Sequence, residues 1–104
     1  MTQIITSQHF LSDEIVEAKS AARDFRVLVS PVFQVEGEEF RVILDGNHSF
    51  AAALAAGVEP ELVEATATDH DAIGHLTSGN VERFLEEMAD DLGYIDAATR
   101  HFVW

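Results

Sequence analysis

The fold is decided by residues 40–57, which read FRVILDGNHSFAAALAAG. The first five of these residues are mostly β-branched or aromatic and predict a strand. Gly46 allows a sharp turn out of that strand, and residues 49–56 are mostly strong helix formers. Gly57 then ends the helix. The stretch therefore predicts a strand, a tight loop and a helix that begins near His48.

The loop within this stretch carries the strongest chemical signal. A helix that begins at Asn47, His48 and Ser49 exposes backbone N–H groups that have no acceptor within the helix, at the positive end of the helix dipole. Such an end binds phosphate and other anions. His48 adds a donor that titrates near neutral pH, and Asp45 adds an acceptor. Because the same residues also suit ordinary turns and helix caps, the pattern alone leaves both interpretations open.

Before this stretch, the sequence predicts two strands, a helix and the first arm of a hairpin. Ser12 is a good N-cap, followed by acidic residues that suit the first turn of a helix. Leu11, Ile15, Ala18 and Ala22 would share one face of that helix. Gly37 lies in a polar turn and predicts a β-hairpin. The predicted elements are a strand at Thr2–Thr6, a helix at Ser12–Ala22, a strand at Phe25–Val29 and a hairpin of Pro31–Val35 with Phe40–Leu44.

After the stretch, we predict a strand at Glu61–Thr66, a short helix at Asp69–Leu76 that Asp69 caps, and a second helix that Asn80 caps. The second helix would bury one apolar face, formed by Val81, Phe84, Leu85, Met88 and Leu92. Its outer face would carry Glu82, Glu86, Glu87, Asp90 and Asp91. The run Phe102-Val103-Trp104 is apolar, and we expect it to pack against the rest of the protein, with an exposed hydrophobic interface as the alternative. The order of elements predicts one α+β domain over residues 1–104, with a small mixed sheet and an acidic helical part from about residue 69 to residue 104 packed on it.

Composition excludes several classes of functional site and partner. The chain has 104 residues, a formal net charge of −13 and no cysteine, which excludes disulfides, thiolate zinc sites and cysteine nucleophiles. One lysine and five arginines replace few phosphate counterions, so we expect weak or absent binding to duplex DNA. No apolar run approaches the roughly 20 residues of a membrane span, and residues 1–5 show no signal-peptide pattern. These features predict a cytoplasmic protein that does not bind membranes.

Two runs, residues 29–33 (VSPVF) and residues 42–58 (VILDGNHSFAAALAAGV), resemble the ParB/sulfiredoxin superfamily. Single-domain members of that family often carry Asp-Gly-x-His ahead of an alanine-rich helix, and the resemblance covers roughly residues 25–67. It implies a ParB/sulfiredoxin-like fold in which a hairpin runs into a strand–loop–helix anion site. It also implies a nucleotide or another phosphate-bearing ligand, with Mg²⁺, bound by Gly46, Asn47, His48 and Ser49. If that ligand is hydrolysed, Asp45 and His48 are the candidate catalytic residues.

Two positions depart from the family pattern. Ser49 stands where the family usually has an arginine that contacts phosphate, and losing one such contact costs about 1.5–3 kcal/mol. No lysine or arginine occurs between residues 42 and 82 to replace it along the sequence. Asn47 stands where sulfiredoxin has its catalytic cysteine, which excludes sulfiredoxin chemistry.

The charge supports an alternative function. A non-catalytic interaction or inhibitor protein, of the kind encoded by phage or plasmid accessory genes, would present an acidic face to a basic protein partner, with imitation of DNA as one way of doing so. That face would consist of Glu82, Glu86, Glu87, Asp90 and Asp91. A metal site at Asp69, His70, Asp71 and His75 is disfavoured because no established metal-binding pattern occurs there. His9 and His101 are expected to be surface or packing residues.

Overall fold

Strands and helices alternate irregularly in the computed structural model, which describes residues 2–104. In chain order they are β1 (Thr2–Thr6), α1 (Asp13–Ala21), β2 (Arg26–Val29), β3 (Phe33–Val35), β4 (Glu38–Asp45), α2 (Asn47–Ala56), β5 (Glu61–Glu64), α3 (Ile73–Thr77), α4 (Val81–Met88) and β6 (Ile95–Asp96). The predicted α+β class is confirmed. None of the helices within residues 2–104 is long and apolar enough to cross a membrane.

The strands form one mixed sheet around β4. β1 pairs with β4 in parallel, and β6 extends the sheet beyond β1 in the antiparallel sense. On the other side of β4, the antiparallel partners are β3 near its start and β2 near its end. β5 then pairs with β2 in parallel. The end of β4, from which α2 begins, therefore lies within the sheet rather than at its edge.

Local sequence signals set several of these elements. The side chain of Ser12 accepts a hydrogen bond from the N–H of Ile15, and the side chain of Asn80 accepts one from the N–H of Arg83, so both predicted N-caps are confirmed. Gly57 ends α2 with a φ of 70°, as predicted. Val35 pairs with Glu38 across a two-residue turn, which confirms the hairpin.

The core occupies both faces of the sheet because alternate residues of β4 point in opposite directions. Phe40 and Val42 belong to a first cluster, in which Phe33 packs edge-on against Phe84 of α4. Ile43 belongs to a second cluster with Phe50 of α2. α2 is therefore held on one face of the sheet, and α4 packs on the other.

The prediction for the helix α4 was wrong at its carboxyl end. The helix stops at Met88, and Leu92 is 94% exposed rather than part of the apolar face. The cause is Ser7, whose Oγ donates to the carbonyl of Met88 and accepts from the N–H of Asp90. The carbonyl of Ser7 also accepts from the N–H of Asp91. These bonds draw the chain out of the helix and along the segment that follows β1, so Asp90 and Asp91 do not lie on α4.

Three other segments differ in part from what the sequence predicts. α3 begins at Ile73 rather than at residue 69, because the carboxylate of Asp69 accepts from the N–H and hydroxyl of Thr66 instead of capping the helix. α1 has no buried residue, and Ile15 is 44% exposed. Phe102 is 70% exposed and makes an edge-to-face contact with His9, whereas Trp104 packs against Phe40 and Tyr94, as expected for this run.

Candidate functional site

The candidate site lies where β4 passes into α2. Gly46 has a φ of 99°, and a Cβ at this position would lie 2.8 Å from the carbonyl oxygen of Arg26. Only glycine therefore lets the chain turn this close to β2. The first helical hydrogen bond runs from the N–H of Phe50 to the carbonyl of Gly46, and no side chain of residues 2–104 caps the helix. The N–H groups of residues 47–49 consequently have no acceptor within α2.

This uncapped end opens into a polar cavity of about 270 Å³. The cavity brings together all five predicted loop residues, Asp45, Gly46, Asn47, His48 and Ser49. Gln8, Lys19, Leu44 and Asp90 complete its lining. The geometry thus combines helix-end amides, one cationic side chain and two carboxylates in one small space.

His48 is anchored by the start of α1. Its Nε2 accepts a hydrogen bond from the backbone N–H of Ser12, with 3.1 Å between the nitrogens. A nitrogen that accepts must carry a lone pair, so the ring proton lies on Nδ1. His48 therefore joins two helices, and only its Nδ1–H remains for donation to a ligand.

Asn47 has an unusual polar environment. Its Oδ1 is buried and has no hydrogen-bond partner within residues 2–104. Its Nδ2 lies 3.5 Å from Oε1 of Gln8, at the outer limit for a hydrogen bond. The amide of Asn47 is thus poorly satisfied at a position that lines the cavity.

Lys19 is the cationic residue of the cavity lining that the sequence analysis missed. It lies on α1, far from the loop in sequence, and reaches the cavity because α1 packs against α2. Its Nζ pairs with Oδ2 of Asp24 at 2.9 Å, and the hydrogen bond from Lys19 lowers the pKa of Asp24 below its ordinary value. A second cavity of about 330 Å³ shares Lys19, Asp45, Gly46 and Ser49 with the first and adds Asp24, Arg26 and Leu28. The folded chain thus supplies cations that the sequence between residues 42 and 82 lacks.

Ser49 is only 1% exposed. An arginine at this position, as the family pattern has, would have to extend from a packed backbone site into the shared lining of the two cavities. Among residues 2–104, no three histidine, aspartate or glutamate side chains are grouped so that they could hold a metal ion. Asp45 and Asp90 are the carboxylates that line the cavity itself.

The predicted acidic face is only partly formed. Glu82 and Glu86 are exposed on α4, but Asp90 and Asp91 lie beyond it, and the carboxylate of Asp91 accepts from the N–H of His9. Glu87 is paired, at 3.0 Å with His75 and at 3.3 Å with Arg83. The hydrogen bond with His75, together with Arg83, lowers the pKa of Glu87 below its ordinary value. Among the described residues, 2–104, the unpaired charge on α4 is therefore limited to Glu82 and Glu86.

Comparison with protein-family models, curated proteins and solved structures finds no match. The resemblance to the ParB/sulfiredoxin superfamily therefore stays a prediction that rests on the residues of the loop and of the helix after it.

Proposed function

We propose that this protein binds a phosphate-bearing ligand, with a nucleotide as the leading class, at the amino end of α2. The observation that carries the proposal is the uncapped first turn of α2, which opens into a polar cavity beside Lys19. Backbone N–H groups and the helix dipole both favour an anion at such a position. The resemblance of the loop to phosphate-binding loops of the ParB/sulfiredoxin superfamily points to the same ligand class.

Lys19 takes over part of the role of the arginine that is missing at position 49. Its pair with Asp24 is solvent-accessible, with 38% of the Lys19 side chain and 42% of the Asp24 side chain exposed. An exposed pair of this kind contributes little to stability, so Lys19 can exchange its carboxylate partner for a phosphate at little cost. Arg26 adds a second cationic side chain in the adjoining cavity, whose lining also contains Asp24.

Asp45 and Asp90 favour binding of the ligand as a metal complex over binding of the free anion. Two carboxylates in the same cavity repel an uncomplexed phosphate. Mg²⁺ commonly binds through one or two carboxylates together with substrate phosphates, and it does not need a cage made only of protein groups. We therefore expect the ligand to bind as its Mg²⁺ complex, with Asp45 and Asp90 toward the ion and the α2 amides toward phosphate.

The test is a thermal-shift and calorimetric titration with CTP, ATP, GTP and inorganic phosphate, each with and without Mg²⁺. A ligand that binds the folded state raises the melting temperature as its concentration rises. Lys19→Gln should weaken binding about tenfold, because it removes one charge-assisted contact. Arg83→Gln removes the same charge from α4, outside the cavity, and should leave the affinity unchanged.

Asp45→Asn separates the two roles of the carboxylates. It should strengthen binding of inorganic phosphate without Mg²⁺ and reduce the gain that Mg²⁺ provides. The proposal fails if none of the four ligands raises the melting temperature, or if Lys19→Gln and Arg83→Gln weaken binding equally.

A further inference from the structure

A second concave surface lies on the opposite face of the sheet, between α4, β3 and the C-terminal residues. It is a groove of about 660 Å³ that shares no lining residue with the cavity at α2. Its floor is apolar and consists of Val35, Val81, Leu85, Tyr94 and Trp104. Trp104 is 43% exposed although it packs against Phe40 and Tyr94, so one of its sides remains open to the groove.

The rim of the groove is acidic along α4. Glu82 and Glu86 stand along α4, and both are exposed. Gln34 borders the groove on the β3 side and also lines an adjoining cavity that contains Glu38 and Glu39. Within residues 2–104, no lysine or arginine lines either depression. The apolar floor is thus flanked by carboxylates that have no cationic partner in the groove.

We infer that this groove is a docking site for an amphipathic segment of another protein, one that carries apolar side chains on one face and lysine or arginine beside them. The apolar face would cover Leu85 and Trp104, in the way that an amphipathic helix lies in a hydrophobic groove. The basic side chains would reach Glu82 and Glu86 at the rim, where opposite charge speeds association and fixes orientation.

The charges of the groove disfavour other occupants. A fatty acid or an anionic lipid would bring its own negative charge to the acidic rim. A second copy of this chain carries a net charge of −13 and is repelled.

The occupant can be selected without assuming its sequence. A display library of random peptides is selected for binding to the full chain. The peptides have about 12 residues, which corresponds to roughly three helical turns. Peptides that also bind the support without the protein are removed. We expect the remaining peptides to carry apolar residues at helical spacing with lysine or arginine beside them.

Trp104 then reports where a selected peptide binds, because it is the only tryptophan of the chain. Its fluorescence emission should move to shorter wavelength as apolar side chains displace water from its exposed side. Glu82→Lys/Glu86→Lys should raise the Kd about tenfold. The control Glu17→Lys/Glu59→Lys makes the same change in net charge at exposed positions outside the groove, and it should leave the Kd within about twofold.

Each alternative gives a distinct result that overturns the inference. Equal loss of affinity in both double variants would mean general attraction to an acidic protein. Binding without a change in Trp104 emission would locate the peptide elsewhere. Selected peptides without basic residues would exclude a basic partner. So would a selection in which no peptide is enriched over the counter-selection. A dimer of the chain that the peptides disperse would identify a second copy as the occupant.

Discussion

The backbone N–H of Ser12 donates a hydrogen bond to Nε2 of His48, and the two nitrogens lie 3.1 Å apart. The bond joins the N-cap residue of α1 to the first turn of α2, although the two residues are 36 positions apart. It therefore holds α1, and with it Lys19, beside the uncapped end of α2. A residue that the sequence marked as a candidate catalyst is thus also part of the framework that builds its own cavity.

His48→Ala should lower the free energy of unfolding by about 1–2 kcal/mol, because the partly buried N–H of Ser12 loses its acceptor. Urea denaturation measures the change. His101→Ala is the control, since His101 is exposed, and it should change the stability by less than about 0.5 kcal/mol. A stable His48→Ala protein that has lost phosphate binding would instead assign His48 to the ligand alone.

Gly46→Ala should destabilise the protein by about 2–4 kcal/mol, because the new Cβ adds a clash with the carbonyl of Arg26 to the cost of a positive φ. Gly57→Ala is a matched control at the other end of α2. Gly57 also has a positive φ, but a Cβ there meets nothing within 4 Å, so its cost should be about 1 kcal/mol. Equal losses in urea denaturation would show that the contact with β2 is unimportant.

Tyr94 should titrate near pH 12. Burial, with a smaller contribution from the charge of Asp90, raises the pKa of Tyr94 from 10.0 to about 12. Because it is the only tyrosine, ultraviolet absorbance follows it directly, and the chain unfolded in urea supplies the reference with a midpoint near 10.

The same shift affects stability at alkaline pH. The folded protein holds the phenol proton of Tyr94 more tightly than the unfolded chain does. The stability that this difference contributes is therefore fully present below pH 10 and is lost as the pH rises toward 12. Tyr94→Phe should remove that part of the pH dependence. A folded protein whose phenol ionises with a midpoint near 10 would contradict the buried environment.

Ser7→Ala should lower the free energy of unfolding by about 1–3 kcal/mol, because the carbonyl of Met88 and the N–H of Asp90 both lose a hydrogen-bond partner. Ser7 is only 3% exposed, so water replaces these bonds poorly. Hydrogen exchange should also accelerate at Asp90. Ser78→Ala is the control, since its Oγ makes one exposed bond, to the carbonyl of His75, and the loss should stay below about 0.5 kcal/mol. Exchange at Asp90 that is unchanged by Ser7→Ala would reject Ser7 as the residue that ends α4.

The parts of the fold that could be predicted from the sequence are those that neighbouring residues determine. Ser12 and Asn80 cap the helices that follow them, Gly37 closes the hairpin and Gly57 ends α2, all within a few residues of the element concerned. The loop at residues 45–49 was found in the same way, from a glycine between a strand and a run of helix formers.

The parts that could not be predicted depend on residues far away in sequence. The apolar spacing of α4 continues to Leu92, but the helix ends at Met88. There Ser7, 81 positions earlier in the sequence, donates a hydrogen bond to the carbonyl of Met88. Lys19 enters the cavity only because α1 packs on α2, which no local pattern encodes. Ile15 has helical spacing with its apolar neighbours, yet α1 lies on the surface with no residue buried.

The position of β1 has a consequence for the order of folding. β1 lies between β4 and β6, and the side-chain amide of Gln3 donates to the carboxylate of Asp96 at 2.8 Å, across 93 positions of sequence. During synthesis β1 leaves the ribosome with neither neighbour available, and its apolar Ile5 stays exposed until β4 has been made. Non-local and parallel pairings of this kind slow folding, because a long loop must close before any contact compensates for the lost entropy. We therefore expect the hairpin and α2 to assemble first, with β1 joining a sheet that already exists and β6 closing over it last.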